Sequence, residues 1–406
     1  MKNRQFLVIG LVVGILLTLI TVKGYQYAIE SGMLGNEAID ARSIAPSSRE
    51  ANKKVSEIEN LISQRFLHDV DKNDLTEAMY GGLVNGLDDQ YSYYFTKEEF
   101  EQAMQSLSGH YQGIGVILVM EKENADVIVG HIYEDSPAKK AGVKVGDVVI
   151  QVNGEETTGK TLADIGTAIR ESEEAIVNLT LKRKGEDNPI EIPVEKGDIE
   201  MSTVDSEMLE DKIGYITIFQ FTQTTAEQFG KAYEELQNEG MERLLVDLRD
   251  NPGGSLQGVS DTLNVFMPKG LLVYSQNRQG ERIEFNSEGK NPIEIPMVVL
   301  INGSSASASE IFAGAVKDHE IGKLVGTTTF GKGLVQSIFE LDDGSAVKLT
   351  TSAYFTPNGI DINGKGIAPD IEVENKDPEA ETEQQEEVTD EQFNQALEVL
   401  KAIENN

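Results

Sequence analysis

The sequence predicts a multidomain α/β chain with an N-terminal membrane anchor, a helical region, a small β-rich domain and a larger α/β core. Three observations predict it. A basic start, Lys2 and Arg4, precedes an apolar run over Phe6–Val22. Helically spaced apolar residues give way near residue 108 to short β-rich runs between Gly, Pro and Asp turns. From residue 198 to 373, strand–turn–helix units repeat. The segments are therefore 1–25, a cytoplasmic start and anchor; 26–107, a linker and helical region; 108–197, the β-rich domain; 198–373, the core; and 374–406, an acidic linker with a terminal helix. A chain of 406 residues is long enough for two or three domains, each with its own core.

The first run, interrupted only by Gly10, Gly14, Thr18 and Thr21, is just long enough to span a bilayer. Positive charge on its short leading side keeps that end in the cytoplasm. The expectation is a single-pass protein of the cell membrane with everything else extracytoplasmic. A cleaved signal peptide is the rival, but Val22-Lys23-Gly24-Tyr25 makes a poor cleavage site. The chain has no cysteine, which removes disulfides, zinc thiolates and a cysteine nucleophile. A formal charge of −34 argues against a nucleic-acid partner. No metal-ligand pattern or cofactor motif is present, so neither is expected.

Val55, Ile58, Leu61, Ile62 and Phe66 fall at helical spacing, a second helix fits Leu75–Leu87, and Thr96-Lys97-Glu98-Glu99 forms a capping-box pattern for a third. No chemistry is visible there; packing, dimerisation or support of a lid is the expected role. Strands are expected at Val116–Met120, Ala125–His131, Val148–Val152, Val177–Lys182 and Ile190–Val194, with a helix near Thr161–Arg170. The strings Y-Q-G-I-G-V (111–116) and D-S-P-A-K-K-A-G-V-K-V-G-D-V-V-I-Q-V-N-G (135–154) resemble a PDZ domain. Such domains add a peptide strand and hold its terminal carboxylate in a nest of N–H groups. By that resemblance the loop is Gly113-Ile114-Gly115-Val116; as a bare hairpin turn its glycines would need no such role.

In the core, strands are expected at Ile213–Phe219, Leu244–Leu248, Met297–Ile301, Leu334–Leu341 and Ala346–Tyr354. Helices are expected at Thr224–Asn238, Leu256–Phe266 and from about Ala306–Ala308 onward. Such repeats put loops at the strand ends, where open α/β sheets carry their sites. After Val373 an acidic stretch, Glu374–Glu391, is expected to be mobile. Phe393, Ala396, Leu397, Leu400 and Ile403 then mark an amphipathic helix that packs back or binds a partner.

Two short stretches carry candidate chemistry, N-G-S-S-A-S-A-S-E (302–310) and T-F-G-K-G-L-V-Q (329–336). Ser307 to Glu310 matches a capping box, which explains the serine without catalysis. A strand-to-helix turn is also where hydrolases expose a serine beside a free N–H. Lys332 lies between two glycines in an apolar setting, a candidate for the lowered proton affinity that a lysine base needs, although an isolated lysine would be taken as exposed. Gln336, four residues on, shares its face and can fix its direction. A Ser–Lys pair is a known alternative to Ser-His-Asp. Among the four histidines, His319 is twelve residues along the same helix, about 18 Å away, and His68, His110 and His131 fall outside the core. D-I-N-G (361–364) reads as a turn.

With L-D-D-Q-Y-S-Y-Y-F-T (87–96), L-L-V-D-L-R-D-N-P-G-G (244–254) and T-T-S-A-Y-F-T-P-N-G (350–359), these motifs resemble the carboxy-terminal processing (tail-specific) serine peptidases over about Glu50–Val373. The resemblance implies a ClpP/crotonase-like protease core and cleavage of protein or peptide substrates recognised by their free C-termini. It implies Ser307 as nucleophile, Lys332 as general base and then acid, and Gln336 as its orienting partner. The oxyanion donors would be the N–H groups of Ala308 and Gly253, with Gly254 the alternative to the latter. Arg170 takes the place of a residue that couples the PDZ domain to the site, although the glycines usual after it are replaced by Glu171-Ser172-Glu173-Glu174. A catalytically inactive PDZ receptor is the alternative function. A homodimer through 48–107 and the terminal helix stands as a hypothesis.

Overall fold

The computed structural model describes residues 48–121, 126–133, 135–170, 172, 174–375 and 390–403. The expected anchor lies outside them, as does most of the acidic linker. No helix among the described residues is long and apolar enough to cross a membrane. The chain divides into two units, 1–76 and 77–406.

Helix α1 (Ser48–Arg65) carries the expected apolar stripe. Ile58, Leu61 and Phe66 are nonetheless about half exposed or more. Helix α2 follows at Lys72–Asn85, then strand β1 (Tyr93–Phe95) and helix α3 (Lys97–Ser108). The capping box of α3 forms as the sequence requires, with Glu99 N–H donating to Thr96 Oγ1 at 3.2 Å and Thr96 N–H to Glu99 at 2.9 Å.

The β-rich domain contains β2 (His110–Gly113), β3 (Val116–Met120), β4 (Val127–Ile132), α4 (Pro137–Ala141), β5 (Val148–Val152), β6 (Glu155–Glu156), α5 (Leu162–Arg170), β7 (Ile176–Lys182), β8 (Ile190–Glu195) and β9 (Gly197–Glu200). Its sheet runs β3-β4-β5-β7-β8, and β2 pairs with β9 as a two-stranded ribbon beside the core. Val129, Val149, Val177, Leu179, Leu181, Ile165 and Ile169 bury a core of their own.

The larger core continues with β10 (Val204–Leu209), β11 (Ile213–Ile218), α6 (Thr225–Asn238), β12 (Arg243–Asp247), α7 (Leu256–Asn264), β13 (Gly270–Asn277), β14 (Arg282–Ser287), β15 (Met297–Ile301), α8 (Ala308–Asp318), β16 (Lys323–Gly326), β17 (Leu334–Glu340), β18 (Ala346–Phe355), β19 (Ile371–Glu372) and α9 (Glu391–Ala402). The main sheet is β10-β11-β12-β15-β16-β19, parallel from β11 onward. Alternation sorts its side chains between two cores. Leu244, Val246, Met297, Val299 and Ile301 face α6, α7 and α8, whereas Leu245, Val298 and Leu300 face α9 through Ala396 and Leu400. The terminal helix therefore packs back onto the body. A second, antiparallel sheet runs β1-β18-β13-β14, with β17 on β18. It joins a strand from the N-terminal region to the segment that carries Lys332.

Candidate active site

Loops at the C-terminal ends of β12, β15 and β16 converge, as parallel α/β sheets dispose them. The loop after β15 enters α8 through serines with different duties. Ser305, fully buried, donates to Leu248 O at 2.7 Å, and Ser309, also buried, donates to Asn251 O at 3.0 Å. Ser307 remains partly exposed and lines a cavity of about 330 Å³. Its φ of 56° is unusual for a residue with a side chain and stores about 1–3 kcal/mol of strain. The surroundings hold it there.

Glu310 supplies most of that hold. Fully buried on the first turn of α8, it accepts from Ser307 N–H at 2.8 Å and from Lys332 N–H at 2.8 Å on one oxygen. Its other oxygen accepts from Gly331 N–H at 2.7 Å and Thr329 Oγ1 at 2.6 Å. One carboxyl group thus joins the Ser307 segment to the Lys332 segment, 22 residues on from Glu310. The Tyr354 hydroxyl adds a second tie, lying 2.9 Å from Ser307 O and also within bonding distance of Lys332 O. Burial, then the charge of Glu310, pushes that phenol well up, so it stays a donor. Gly333 cannot be replaced freely, because an added Cβ would stand 2.6 Å from Asn363 N in the D-I-N-G turn. That turn presses the Gly-Lys-Gly segment into place.

Lys332 is half-buried, and burial lowers its proton affinity; Lys348 lowers it further and Glu310 opposes. Its Nζ makes no hydrogen bond among the described residues and lies 4.9 Å from the centre of the Tyr91 ring. Gln336 lines the Ser307 cavity, but its amide donates to Leu334 O at 3.3 Å and Thr350 Oγ1 at 3.5 Å, not to the amine. Ser307, Ala308 and Gly254 share the cavity with Met104 and Leu107 of α3 and Leu256 and Ile311. Gly253, at φ 101°, sits so close to the nucleophile turn that a Cβ would meet Ala306 O at 2.6 Å. Its N–H donates to Asn251 Oδ1 at 2.9 Å, so this N–H is engaged within its own turn. Lys332, Gln336 and Gly253 are thus beside Ser307 but not bonded to it.

Several contributors were not legible as such. Glu310 shows in sequence only as a capping residue, and Tyr354 as one strand position among many. Tyr91, in a motif given no chemical role, lies against the Lys332 amine. Helix α3, also given none, walls the cavity. Arg249 donates to Asp247 and, at 2.8 Å, to both oxygens of Asp390 at the start of α9, fastening the terminal helix beside the 250–254 loop. His319 Nε2–H donates to Leu271 O at 2.7 Å, remote from this chemistry.

The second candidate site is a groove of about 170 Å³ in the β-rich domain. Gly113, Ile114, Gly115, Val116 and Arg170 all line it, together with Leu118, Leu162, Gly166 and Ile169. Burial pushes the neighbouring Tyr111 phenol up to about 12, against the pull of Arg170. An apolar floor beneath a glycine loop suits an extended peptide end.

Comparison with known proteins finds matches along both domains. A sequence model of peptidase family S41 matches residues 212–373, a PDZ domain model matches 128–183, and one described as the activating protease CtpB N-terminal domain matches 12–99. The carboxy-terminal processing protease CtpB of Bacillus subtilis (strain 168) is 35% identical over 84% of this chain and 72% of that protein. The chain belongs to peptidase family S41. A probable CtpA-like serine protease of Staphylococcus aureus (strain N315) is 33% identical over 92% of the S41 chain and 73% of its own length. A solved putative S41 protease from Bacteroides fragilis shares the fold, with a TM-score of 0.52 at 18% identity over 84% of this chain and 93% of that one. The S41 protein is a multidomain α/β, C-terminal processing serine protease with a PDZ domain.

Proposed function

We propose that this peptidase is tethered to the cell membrane by residues 1–25, works outside the cytoplasm, and cuts proteins whose free C-termini seat in the groove at Gly113–Val116. Ser307 Oγ attacks the scissile carbonyl while Lys332 Nζ takes its proton. Lys332 then protonates the leaving amine, and water, activated by the same amine, hydrolyses the acyl-enzyme. Gln336 turns from Leu334 and Thr350 to orient the amine. Ala308 N–H and a donor from Gly253 or Gly254 hold the oxyanion, each worth about 3–4 kcal/mol of barrier. Gly253 takes that part once its bond to Asn251 is released. Arg170, in the groove wall, reports tail binding to the core. The exposed stripe on α1 supports a homodimer through the N-terminal region.

The observation that carries this reading is the double tie of Ser307 to Lys332 through Glu310 and Tyr354. It holds a strained, accessible serine beside a half-buried lysine for which scaffolding alone has no use. The test is cleavage of an unfolded protein by the wild type, Ser307→Ala and Lys332→Ala, with and without a C-terminal peptide, and mass spectrometry of the products. Both variants should fold and lose at least about a thousandfold in activity. Retained cleavage in either would remove that residue from the mechanism.

A further inference from the structure

Helix α3 ends at the wall of the Ser307 cavity, and its last turn is fixed to the protease core. Gly109 closes the helix at φ 78°, and a Cβ there would stand 2.5 Å from Thr224 Oγ1 and 2.8 Å from Thr222 Oγ1. Only glycine permits that approach. Two backbone bonds cross the same seam: Gln223 N–H donates to Leu107 O at 3.2 Å, and Met201 N–H to Gly109 O at 2.8 Å. Met104 and Leu107, three residues apart, share one face of the helix, and both line the cavity that holds Ser307. Met104 is exposed there, and an unbranched thioether adapts to what it touches.

The remaining lining is apolar or neutral. Leu256 of α7, Ile311 of α8 and Val335 of β17 add apolar surface, and among the described residues no charged side chain lines the cavity. The outer cavity, which shares Leu334 with this one, differs in carrying Asp88 and Asp89. An ionised side chain entering the Ser307 cavity would give up its water with no counter-charge to meet it. The direction of a bound chain follows from the chemistry. Ser307 and Ala308 line the same cavity, so the carbonyl that Ser307 attacks, with its oxygen at Ala308 N–H, lies at this cavity. The side chain that enters belongs to the residue owning that carbonyl, the one before the scissile bond. The leaving nitrogen faces Lys332, which is no part of this lining and rests against Tyr91 of the outer cavity.

We propose that Met104 and Leu107 determine which residue this peptidase cuts after: they wall a subsite that takes an uncharged, apolar side chain immediately before the scissile bond, and they set its size. The proposal rests on reading Ser307 as nucleophile. It gives a cutting preference to the helical region, which lies outside the S41 match at 212–373. A single methylene in such a pocket discriminates by about 10- to 200-fold, so changing either side chain suffices to reorder the preferred residues.

The test is digestion of a mixture of unfolded proteins by the full-length chain, with a C-terminal peptide present and the cut sites read by mass spectrometry. Wild type should cut after leucine, methionine or valine at least about tenfold more often than after aspartate, glutamate or lysine. Met104→Lys should raise cuts after aspartate and glutamate about tenfold relative to cuts after leucine, and Met104→Glu should do the same for lysine and arginine. Leu107→Ala should move the preference toward phenylalanine and tyrosine. Thermal melting accompanies each variant, and Leu107→Val is the second size variant should alanine loosen α3. Variant profiles that match wild type, a change confined to the residue after the bond, or a wild type that cuts freely after charged residues overturns the proposal. Wild type that cuts no better than Ser307→Ala would instead overturn the reading of Ser307 itself, and the proposal with it.

Discussion

At the scale of single residues, the site trades stability for chemistry. The folded chain holds the Lys332 proton less tightly than an unfolded chain with the ordinary value of 10.5. The charged amine therefore penalises folding below its native titration point, and the penalty fades as pH rises from there to the ordinary value. Lys332→Met should accordingly raise the melting temperature near neutral pH and abolish turnover. The stabilisation should vanish at strongly alkaline pH; one that persists there would show a packing gain instead. Activity has the same sign, because the neutral amine grows as pH rises. Ser307, Lys332 and Gln336 were legible because their short motifs concentrate glycine, serine and a lone lysine. Glu310, Tyr354 and Tyr91 were not, since apart from the Glu310–Ser307 bond what they touch is 19 or more residues distant in chain, and no local period records such contacts.

At the scale of elements, the helix after the acidic linker has more to do than end the chain. Ala396 and Leu400 have no exposed surface and close the face of the main sheet made by Leu245, Val298 and Leu300. Leu400→Ala should cost about 2–4 kcal/mol in chemical denaturation. A cost under about half a kcal/mol would mean that α9 is only loosely seated. Because Arg249 bonds Asp390 and sits beside the 250–254 loop, the same variant should also slow cleavage. Most core elements could be read from the sequence within one or two residues, since their buried strands are unbroken apolar runs. The strands β1, β2, β6, β9, β10, β13, β14, β16 and β19 escaped, being short or mixed in polarity. For the stripe on α1 the sequence leaves packing, dimerisation or support of a lid open; its Ile58 and Leu61 are exposed.

At the scale of the molecule, the PDZ and protease parts bury separate cores with no shared member. The ribbon of β2 and β9 lies between them. Calorimetry should resolve two transitions. Leu179→Ala, a change of about 2–4 kcal/mol in the PDZ core, should lower one of them and leave the other in place. A single transition that moves as a whole would reject that independence. The domain order was open to the sequence because each part has its own periodicity. What it withheld was the crossing of those parts, with α3 walling the protease cavity and β1 pairing into the protease sheet.

One consequence of the Glu310 tie concerns time. Because the backbones of the Ser307 and Lys332 segments hang from the same buried group whether or not their side chains engage, switching on needs no loop to fold. The Lys332 amine has to leave the Tyr91 ring, Gln336 to turn toward it and Asn251 to release Gly253 N–H, movements of side chains rather than of whole loops. Such a protease would answer each arriving tail without lag and keep no memory of the last one.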